Sequence, residues 1–232
     1  IAVGEYEAGI FCIQKSMELA ELLGEEKMLL NNFKQMIFYG IQVEDLKLVE
    51  AYVNRGLELL EKEQQPAEEK GVFTRLKGWY LLYRGSYEEA EQTLHKAMEL
   101  FRASAEEKEH FRMGIAACHG YLGDMKRIQG DLEAALACYQ KAVELGSGKV
   151  ITNGMGQFYS GLGQIYYLQG KEAQAEEYLE KAVSCLKRHG YYWGLERAEA
   201  YMAMLLWNEG RKEEAKAFYQ DSLKLSEKIK NP

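Results

Sequence analysis

Polar and apolar residues are distributed along this chain with the spacing of amphipathic helices, and the pattern recurs about every 40 residues. Four segments run from a glycine to an alanine five residues later, namely Gly85–Ala90, Gly130–Ala135, Gly170–Ala175 and Gly210–Ala215. Counting back by the same interval reaches Glu44–Leu46 and then Gly4–Ala8. A helical repeat of this length predicts a stack of helical hairpins, each of which buries its apolar face against its neighbours.

The second helix of each predicted hairpin carries two mostly small residues seven positions apart, which places them on one helical face. Residues of this size let another helix approach closely. The pairs are Gly9 and Ser16, Val49 and Gly56, Ala90 and Ala97, Ala135 and Ala142, Ala175 and Ala182, and Ala215 and Ser222. Four large residues follow the first small residue by four positions and are predicted to fill the space between helices: Leu94, Tyr139, Leu179 and Tyr219.

The first helix of three hairpins contains a glycine at one register, at Gly78, Gly123 and Gly163, where the next hairpin has Ala203. Glycine inside a helix costs roughly 1 kcal/mol relative to alanine. Its recurrence at a costly position therefore predicts a site where two backbones come into contact.

Together these positions resemble the tetratricopeptide repeat, whose motif has small residues, a glycine and one bulky residue at fixed places. The resemblance covers about residues 4–229. The period is longer than the usual length of about 34 residues, and the proline that usually closes each repeat is absent, so the helices are expected to be longer. In this the chain is similar to the extended repeats of the maltose-regulon activator, of quorum-sensing peptide receptors in Gram-positive bacteria and of some animal polarity adaptors.

The pattern predicts an all-α fold class, and the resemblance implies a right-handed αα-superhelix of about five and a half hairpins. The segment 25–42 fits worst, because Ile37 replaces a small residue and Gly40 stands where a bulky one belongs. We expect one solenoid domain over residues 1–232, part of a longer protein because the chain starts at Ile1 without a methionine. Eleven helices are predicted, at 4–23, 25–40, 44–63, 67–84, 86–103, 105–129, 131–146, 149–169, 171–188, 190–209 and 211–229.

Composition excludes several classes of protein. The formal net charge of −7 disfavours direct binding to a phosphate backbone, and the sequence has no apolar run of about 18 residues that could span a membrane. The four cysteines form no CxxC pair, which favours a reducing compartment. We therefore expect a cytoplasmic protein that contacts neither nucleic acid nor membrane directly.

No pattern typical of catalysis or metal binding stands out. Gly146–Lys149 is similar to the end of a phosphate-binding loop, but Val143 and Val150 replace the glycine and the hydroxyl residue of the full motif. The four histidines form neither an i, i+4 pair nor an HExxH motif. We predict a non-enzymatic protein with no cofactor and no metal.

The remaining candidate is the concave groove that the first helices of such hairpins line. Aromatic residues and arginines dominate binding hot spots, and side-chain amides bond both N–H and C=O groups of an extended peptide. The resemblance to peptide receptors points in particular to Asn31 and Asn153, which match by register. The predicted binding residues are Asn31, Lys34, Arg75, Trp79, Tyr83, Arg127, Asn153, Gln157, Gln164, Tyr167, Trp193 and Arg197, with Phe38, Met113, Met204 and Trp207 on the same face.

Two hypotheses of function follow from this groove. In the first, the chain is a non-enzymatic repeat module that binds a protein or peptide, as a scaffold or regulatory part of a larger bacterial protein. In the second, it is the effector-sensing domain of a transcriptional regulator whose DNA-binding or ATPase parts lie outside this sequence. The apolar first helix also suggests a homodimer. Packing inside the repeats is the alternative role for the three tryptophans, Trp79, Trp193 and Trp207.

Overall fold

A computed structural model of the chain describes residues 3–61, 66–103, 109–147, 153–188 and 194–230. Every regular element in these ranges is an α-helix. In chain order they are α1 (Val3–Leu23), α2 (Glu26–Gln42), α3 (Leu46–Leu60), α4 (Ala67–Arg84), α5 (Tyr87–Arg102), α6 (Glu109–Ile128), α7 (Leu132–Gly146), α8 (Asn153–Leu168), α9 (Glu172–Arg188), α10 (Leu195–Asn208) and α11 (Lys212–Lys230).

The chain divides into two compact units, one of residues 1–104 and 229–232 and the other of residues 105–228. In the first unit α1 packs on α2, and α2 pairs with α3 as α4 does with α5. In the second unit α6 pairs with α7 and α8 with α9, and α10 lies against both α8 and α9. The hairpins predicted from the repeat are therefore present within each unit, whereas a single domain over 1–232 stays a prediction.

The predicted helices agree with the described ones to within about two residues at most ends, and one such difference is at the start of α3. Glu44, expected to be helical, has a left-handed backbone with φ of 56°. Asp45 then caps α3, because its carboxylate accepts hydrogen bonds from the backbone N–H groups of Lys47 and Leu48 at 3.1 and 3.0 Å. Parts of the predicted helices 44–63, 105–129, 149–169 and 190–209 lie outside the described residues.

The predicted hairpin turns are closed by glycines in the left-handed conformation, of which Gly85 is representative with φ of 87°. Its N–H donates to the carbonyl of Leu82, and the N–H of Ser86 donates to that of Leu81 at 2.9 Å. This pattern satisfies the last carbonyls of α4 and reverses the chain into α5. The short turn keeps the two helices of the hairpin antiparallel and adjacent.

The glycine register of the first helices marks the closest contact in each hairpin. A Cβ at Gly78 would lie 2.6 Å from Leu94 Cδ2, one at Gly123 would lie 2.9 Å from the Tyr139 ring, and one at Gly163 would lie 2.6 Å from Leu179 Cγ. These glycines therefore accommodate the large side chain of the second helix. The close contact predicted at these glycines is confirmed. The partner, however, is mainly a side chain of the second helix, whereas backbone-to-backbone contact was expected.

The small residues of the second helices are buried as predicted in most hairpins. Ala90, Ala97, Ala135, Ala142, Ala175 and Ala182 are each 0% exposed. The prediction for Tyr219 was wrong, because its side chain is 55% exposed. In this hairpin the first helix, α10, has Ala203 where the other three have glycine. The methyl group of Ala203 therefore occupies the space that the glycines leave open. Tyr139 also packs over Gly161 of the following hairpin, whereas no helix follows α11 among the described residues.

One carboxylate of the second unit is fully buried. Glu199 on α10 forms an ion pair with Lys187 on α9, with 2.7 Å between Lys187 Nζ and Glu199 Oε1, and the lysine itself is half exposed. Burial raises the pKa of Glu199, and the ion pair with Lys187 only partly offsets this. The folded state therefore holds the proton of Glu199 more tightly than the unfolded state, and this group's contribution to stability falls as pH rises through the raised pKa.

We expect Gly163→Ala to lower the free energy of unfolding by up to about 2 kcal/mol. Overpacking of the new methyl group against Leu179 costs about 1–3 kcal/mol, and the better helix propensity of alanine offsets roughly 1 kcal/mol of this. Urea unfolding measures the change. The matched control is Gly9→Ala in α1, where no atom lies within 4 Å of the added Cβ, and that variant should be unchanged or more stable. Equal effects of the two substitutions would contradict the packing role.

We expect Lys187→Met to destabilise the protein by about 1–3 kcal/mol near neutral pH, because it leaves the buried Glu199 carboxylate without its cation. The loss should shrink as pH falls through the raised pKa of Glu199, because the folded state then holds this carboxyl group protonated and no buried charge is left without its cation. Urea unfolding across pH measures it. Lys181→Met is the control, since Glu177 is exposed and that pair contributes at most about 1 kcal/mol. A pH-independent loss would refute this explanation.

Candidate binding surface on the first helices

In the first unit, the predicted binding residues of α2 have different environments. Asn31 is exposed, and Phe38 is 37% exposed. Lys34 forms an ion pair with Glu69 on α4, with 3.1 Å between Lys34 Nζ and the carboxylate oxygens. The lysine therefore links two first helices, and part of its charge is already neutralised within the chain.

The predicted binding residues of α4 differ in how deeply they are buried. Trp79 is 3% exposed, and its ring centroid lies 4.5 Å from that of Tyr83, which is 36% exposed. Arg75 is half-buried, with its Nε shielded from solvent. Trp79 thus supports the surface from below, while Arg75 and Tyr83 are the members of this set that a ligand can reach.

In the second unit, α8 carries a row of uncharged polar residues on one face: Gln157, Ser160, Gln164 and Tyr167, which we call the α8 stripe. Gln164 is 1% exposed, and its Nε2 donates a hydrogen bond of 3.0 Å to Ser160 Oγ. Its Oε1 is shielded from solvent and accepts no hydrogen bond from the described residues. No residue of α8 is charged. The middle of the α8 stripe is therefore buried and polar but electrically neutral.

The α8 stripe faces α10. A Cβ on Gly194, the residue that precedes α10 and has φ of 86°, would collide with the Gln157 amide. At the other end of the stripe, the Tyr167 and Tyr201 rings pack edge to face with centroids 5.6 Å apart, and Asn208 Nδ2 donates to the Tyr167 hydroxyl at 3.2 Å. Contacts at both ends place the two helices side by side in parallel.

A polar cluster joins α6 to α7 below the surface. The Tyr139 hydroxyl donates a 2.8 Å hydrogen bond to Asp124 Oδ1. The same carboxylate oxygen lies 3.5 Å from Arg127 Nη2, and both charged side chains are largely buried. The ring of Tyr139 packs over Gly123 and Gly161. The packing residue of this hairpin therefore also fixes the position of a surface arginine.

Electrostatics within the cluster favour a charged Arg127. Burial opposes its charge, but Tyr139 and Asp124 outweigh that effect and raise the pKa of Arg127, while the charge of Arg197 acts in the opposite direction. Burial, helped by the Asp124 charge, raises the pKa of Tyr139 well above its ordinary value. Tyr139 consequently remains a protonated donor over the whole physiological range.

The predicted residues of α10 lie at its two ends. Arg197, near the start, is half-buried with its Nε shielded. Trp207, near the end, is 58% exposed, with Lys212 Nζ 5.5 Å from its ring centroid, and Met204 is 49% exposed. Trp193 and the side chain of Asn153 lie outside the described residues, so their predicted roles stay predictions.

Sequence reasoning missed Asp124, Tyr139 and Tyr201 as parts of this surface. The sequence pattern assigns Tyr139 only to packing, because it shares its register with Leu94, Leu179 and Tyr219. The residue after the glycine of each first helix could have indicated the hydrogen bond. This residue is Asp124, a possible acceptor for the Tyr139 hydroxyl, in the hairpin with Tyr139, whereas it is Gln164 in the hairpin with Leu179.

Other kinds of site find no support in the described ranges. Within them, no group of three or more His, Cys, Asp or Glu side chains is arranged to hold a metal ion. None of the helices searched there combines the length and the apolar character needed to cross a bilayer.

Comparisons with known proteins agree with the fold. Family models described as tetratricopeptide repeat match residues 74–147, 114–188 and 196–229. No curated protein matches the chain in sequence. Among solved structures, BtubC (BKLC) from P. vanneervenii has a TM-score of 0.63 at 15% identity, over 99% of this chain and 92% of that one.

Two further solved structures are also similar. Aspartyl phosphate phosphatase F from Bacillus subtilis has a TM-score of 0.62 at 14% identity, over 91% of this chain and 55% of that one. A STAND signal transduction ATPase with a tetratricopeptide repeat sensor, from Pyrococcus horikoshii, has a TM-score of 0.60 at 19% identity, over 97% and 37%. At these identities the likeness shows the fold alone. It confirms the predicted all-α, tetratricopeptide-like superhelix class.

We expect Tyr139→Phe to lower the free energy of unfolding by about 1–2 kcal/mol, because Asp124 would lose a buried hydrogen-bond donor. Urea unfolding at neutral pH measures the loss. Tyr219→Phe on α11 removes the same hydroxyl from a side chain that is 55% exposed, and it should change stability by less than about 0.5 kcal/mol. If both variants are equally stable, Tyr139 is only a packing residue.

Proposed function

The chain belongs to the tetratricopeptide repeat family, and we propose that the exposed parts of its first helices bind a protein or peptide segment. Repeats of this family generally bind protein or peptide partners and generally act without catalysis. In this proposal the chain serves as a scaffold or regulatory part of a larger bacterial protein.

The observation that carries the proposal is the presence of half-buried arginines and tyrosines on the first helices of both units. Arg75 and Tyr83 lie on α4, Arg127 on α6, and Tyr167 on α8. Side chains of these two types, partly held by their surroundings, lose little conformational entropy on binding and dominate hot spots at interfaces. The buried Trp79 and Gln164 support such a surface from beneath.

A peptide-library screen tests this function. The immobilised chain is expected to enrich defined peptide sequences, and the double variant Arg75→Ala with Arg197→Ala should bind the enriched peptides at least about tenfold more weakly, since one hot-spot side chain contributes on the order of 1–2 kcal/mol. Fluorescence anisotropy with the selected peptides measures the affinity of each variant.

The control for this screen is Arg102→Ala with Arg188→Ala, which removes the same charge from exposed positions on the second helices α5 and α9. It should bind like the wild type. Equal binding by both double variants would refute a role for the first helices, and failure to enrich any peptide would refute peptide binding itself.

A second candidate function is effector sensing within a transcriptional regulator. It is supported by the STAND protein above, in which a tetratricopeptide repeat part is called a sensor and this chain spans 37% of the whole. A gene that encodes an ATPase or DNA-binding module next to this chain would favour it. An effector present at a hundred times its Kd would then stabilise the chain by about 2.7 kcal/mol in thermal unfolding.

The homodimer stays a prediction. It is supported by exposed apolar side chains on α1, since Phe11, Leu19, Leu22 and Leu23 are 59%, 51%, 82% and 61% exposed.

A further inference from the structure

We propose that two copies of this chain associate through α1, with the two helices antiparallel and Phe11 of one copy packed on Leu22 of the other. The surface involved is the outward face of α1 formed by Phe11, Lys15, Glu18 and Leu22, which we call the α1 stripe. The inference rests on the homodimer of the proposed function and specifies its contacts, and it is independent of peptide binding.

The α1 stripe lies on the side of the helix that faces away from the rest of the first unit. At 3.6 residues per turn its four members fall within roughly 60° of one another around the helix axis. Phe11 is 59% and Leu22 82% exposed, and the side chains of Lys15 and Glu18 are more than half exposed. Ala20, on the opposite side of α1, is completely buried. The stripe therefore has a large apolar side chain at each end and two charged side chains between them.

The repeat itself shows that Phe11 is unusual at its position. The other five second helices have a small or polar residue there, exposed in each case: Ala51, Gln92, Ala137, Glu177 and Ala217. Gln92 and Glu177 stay exposed although α4 packs on α5, α8 packs on α9, and a complete hairpin precedes both of these pairs. A hairpin packed in front of α1 in the same way would therefore leave Phe11 uncovered.

Leu22 departs from the repeat in the same way. The other second-helix segments have a small or basic residue at its register, namely Lys62, Ala103, Gly148, Arg188 and Lys228. Of these, Ala103 and Arg188 lie in the described ranges with their surroundings, and both are exposed. Leu19 is different, because every other second helix carries leucine or cysteine at its register. Phe11 and Leu22 are thus apolar for a reason outside the repeat, which indicates contact with another protein.

The order of residues along the α1 stripe makes it complementary to itself. In an antiparallel pair of identical helices with a two-fold axis midway between Ser16 and Met17, Phe11 faces Leu22 of the other copy. The same axis brings Lys15 opposite Glu18 of the other copy, because both pairs of positions share this midpoint in the sequence. Each copy thus supplies both halves of every contact, as a two-fold interface requires.

Charge favours this antiparallel arrangement. Within one copy Lys15 Nζ lies 2.7 Å from Glu18 Oε2, so the stripe is neutral and two copies do not repel each other there. Antiparallel pairing gives each lysine a second glutamate from the other copy, whereas parallel pairing would place lysine beside lysine and glutamate beside glutamate. A second copy of this chain therefore matches the stripe both in its apolar ends and in its central charges.

The size of the stripe predicts a weak dimer. The helix rises by about 17 Å from Phe11 to Leu22. One helix face of this length forms an interface at the low end of the range, below the roughly 1,200 Å² that stable complexes bury. We therefore expect a dissociation constant of about 10–100 µM.

Sedimentation equilibrium of the whole chain, over about 5–500 µM, measures this dimer. Phe11→Asp and Leu22→Asp should each raise the dissociation constant at least about tenfold, because a two-fold interface loses the apolar contact twice. Leu223→Asp on α11 is the control, since it places the same charge at an exposed leucine outside α1, and it should leave the dissociation constant unchanged. Melting temperatures of the dilute proteins show whether each variant is folded.

Charge reversal tests the antiparallel register. Lys15→Glu and Glu18→Lys should each weaken self-association, because like charges then face each other across the axis. An equal mixture of the two variants should associate like the wild type, since opposite charges face each other again in the mixed dimer. Lys141→Glu on α7 is the control, because it breaks the ion pair with Glu144, which has the same spacing and register, and it should have no effect.

The outcomes separate this inference from the rest of the proposed function. A chain that stays monomeric at about 500 µM would refute the homodimer and its α1 interface together, and the stripe would then serve a different protein. A dimer that tolerates both Phe11→Asp and Leu22→Asp would refute the α1 interface while the homodimer stands. Failure of the charge-reversal mixture to restore association would overturn the antiparallel register. Peptide binding by the first helices is measured separately by anisotropy and is unaffected by each of these results.

Discussion

The contact between a large side chain on each second helix and a glycine on the preceding first helix is the constraint on which three hairpins depend. Leu94, Tyr139 and Leu179 lie so close to their glycines that even a methyl group would collide with them. A helix accepts the cost of glycine at these sites because the large side chain can then be buried completely. The fourth hairpin shows the converse, with Ala203 on one side and an exposed Tyr219 on the other.

Tyr139 connects this packing to the surface. Its ring packs against a glycine of α6, as leucine does in the neighbouring hairpins, and it also packs against Gly161 of α8. Its hydroxyl, however, needs a buried acceptor, which Asp124 supplies. Asp124 in turn lies next to Arg127. The residue at one position of the core thus determines where a cation is held at the surface.

The surface of the second unit combines three first helices of different character. The middle helix, α8, is uncharged, whereas its neighbours α6 and α10 supply arginines. The charges of these arginines are balanced in part within the chain, since Asp124 lies 3.5 Å from Arg127 and Glu196 interacts with Arg197.

The sequence by itself determined the eleven helices of the described residues, their order and the pairing of most of them, because small residues, glycines and turn residues act locally and recur at one period. It also determined which positions of the second helices are buried in most hairpins. Tertiary structure alone decided which candidate binding residues are accessible. Trp79 and Trp207 are both tryptophans on first helices, yet one is 3% and the other 58% exposed, because exposure depends on which neighbouring helices cover each turn. The contacts among Tyr139, Asp124 and Arg127 could not be predicted from the sequence either. A sequence pattern counts tyrosine as apolar and does not show which residue lies next to its hydroxyl group.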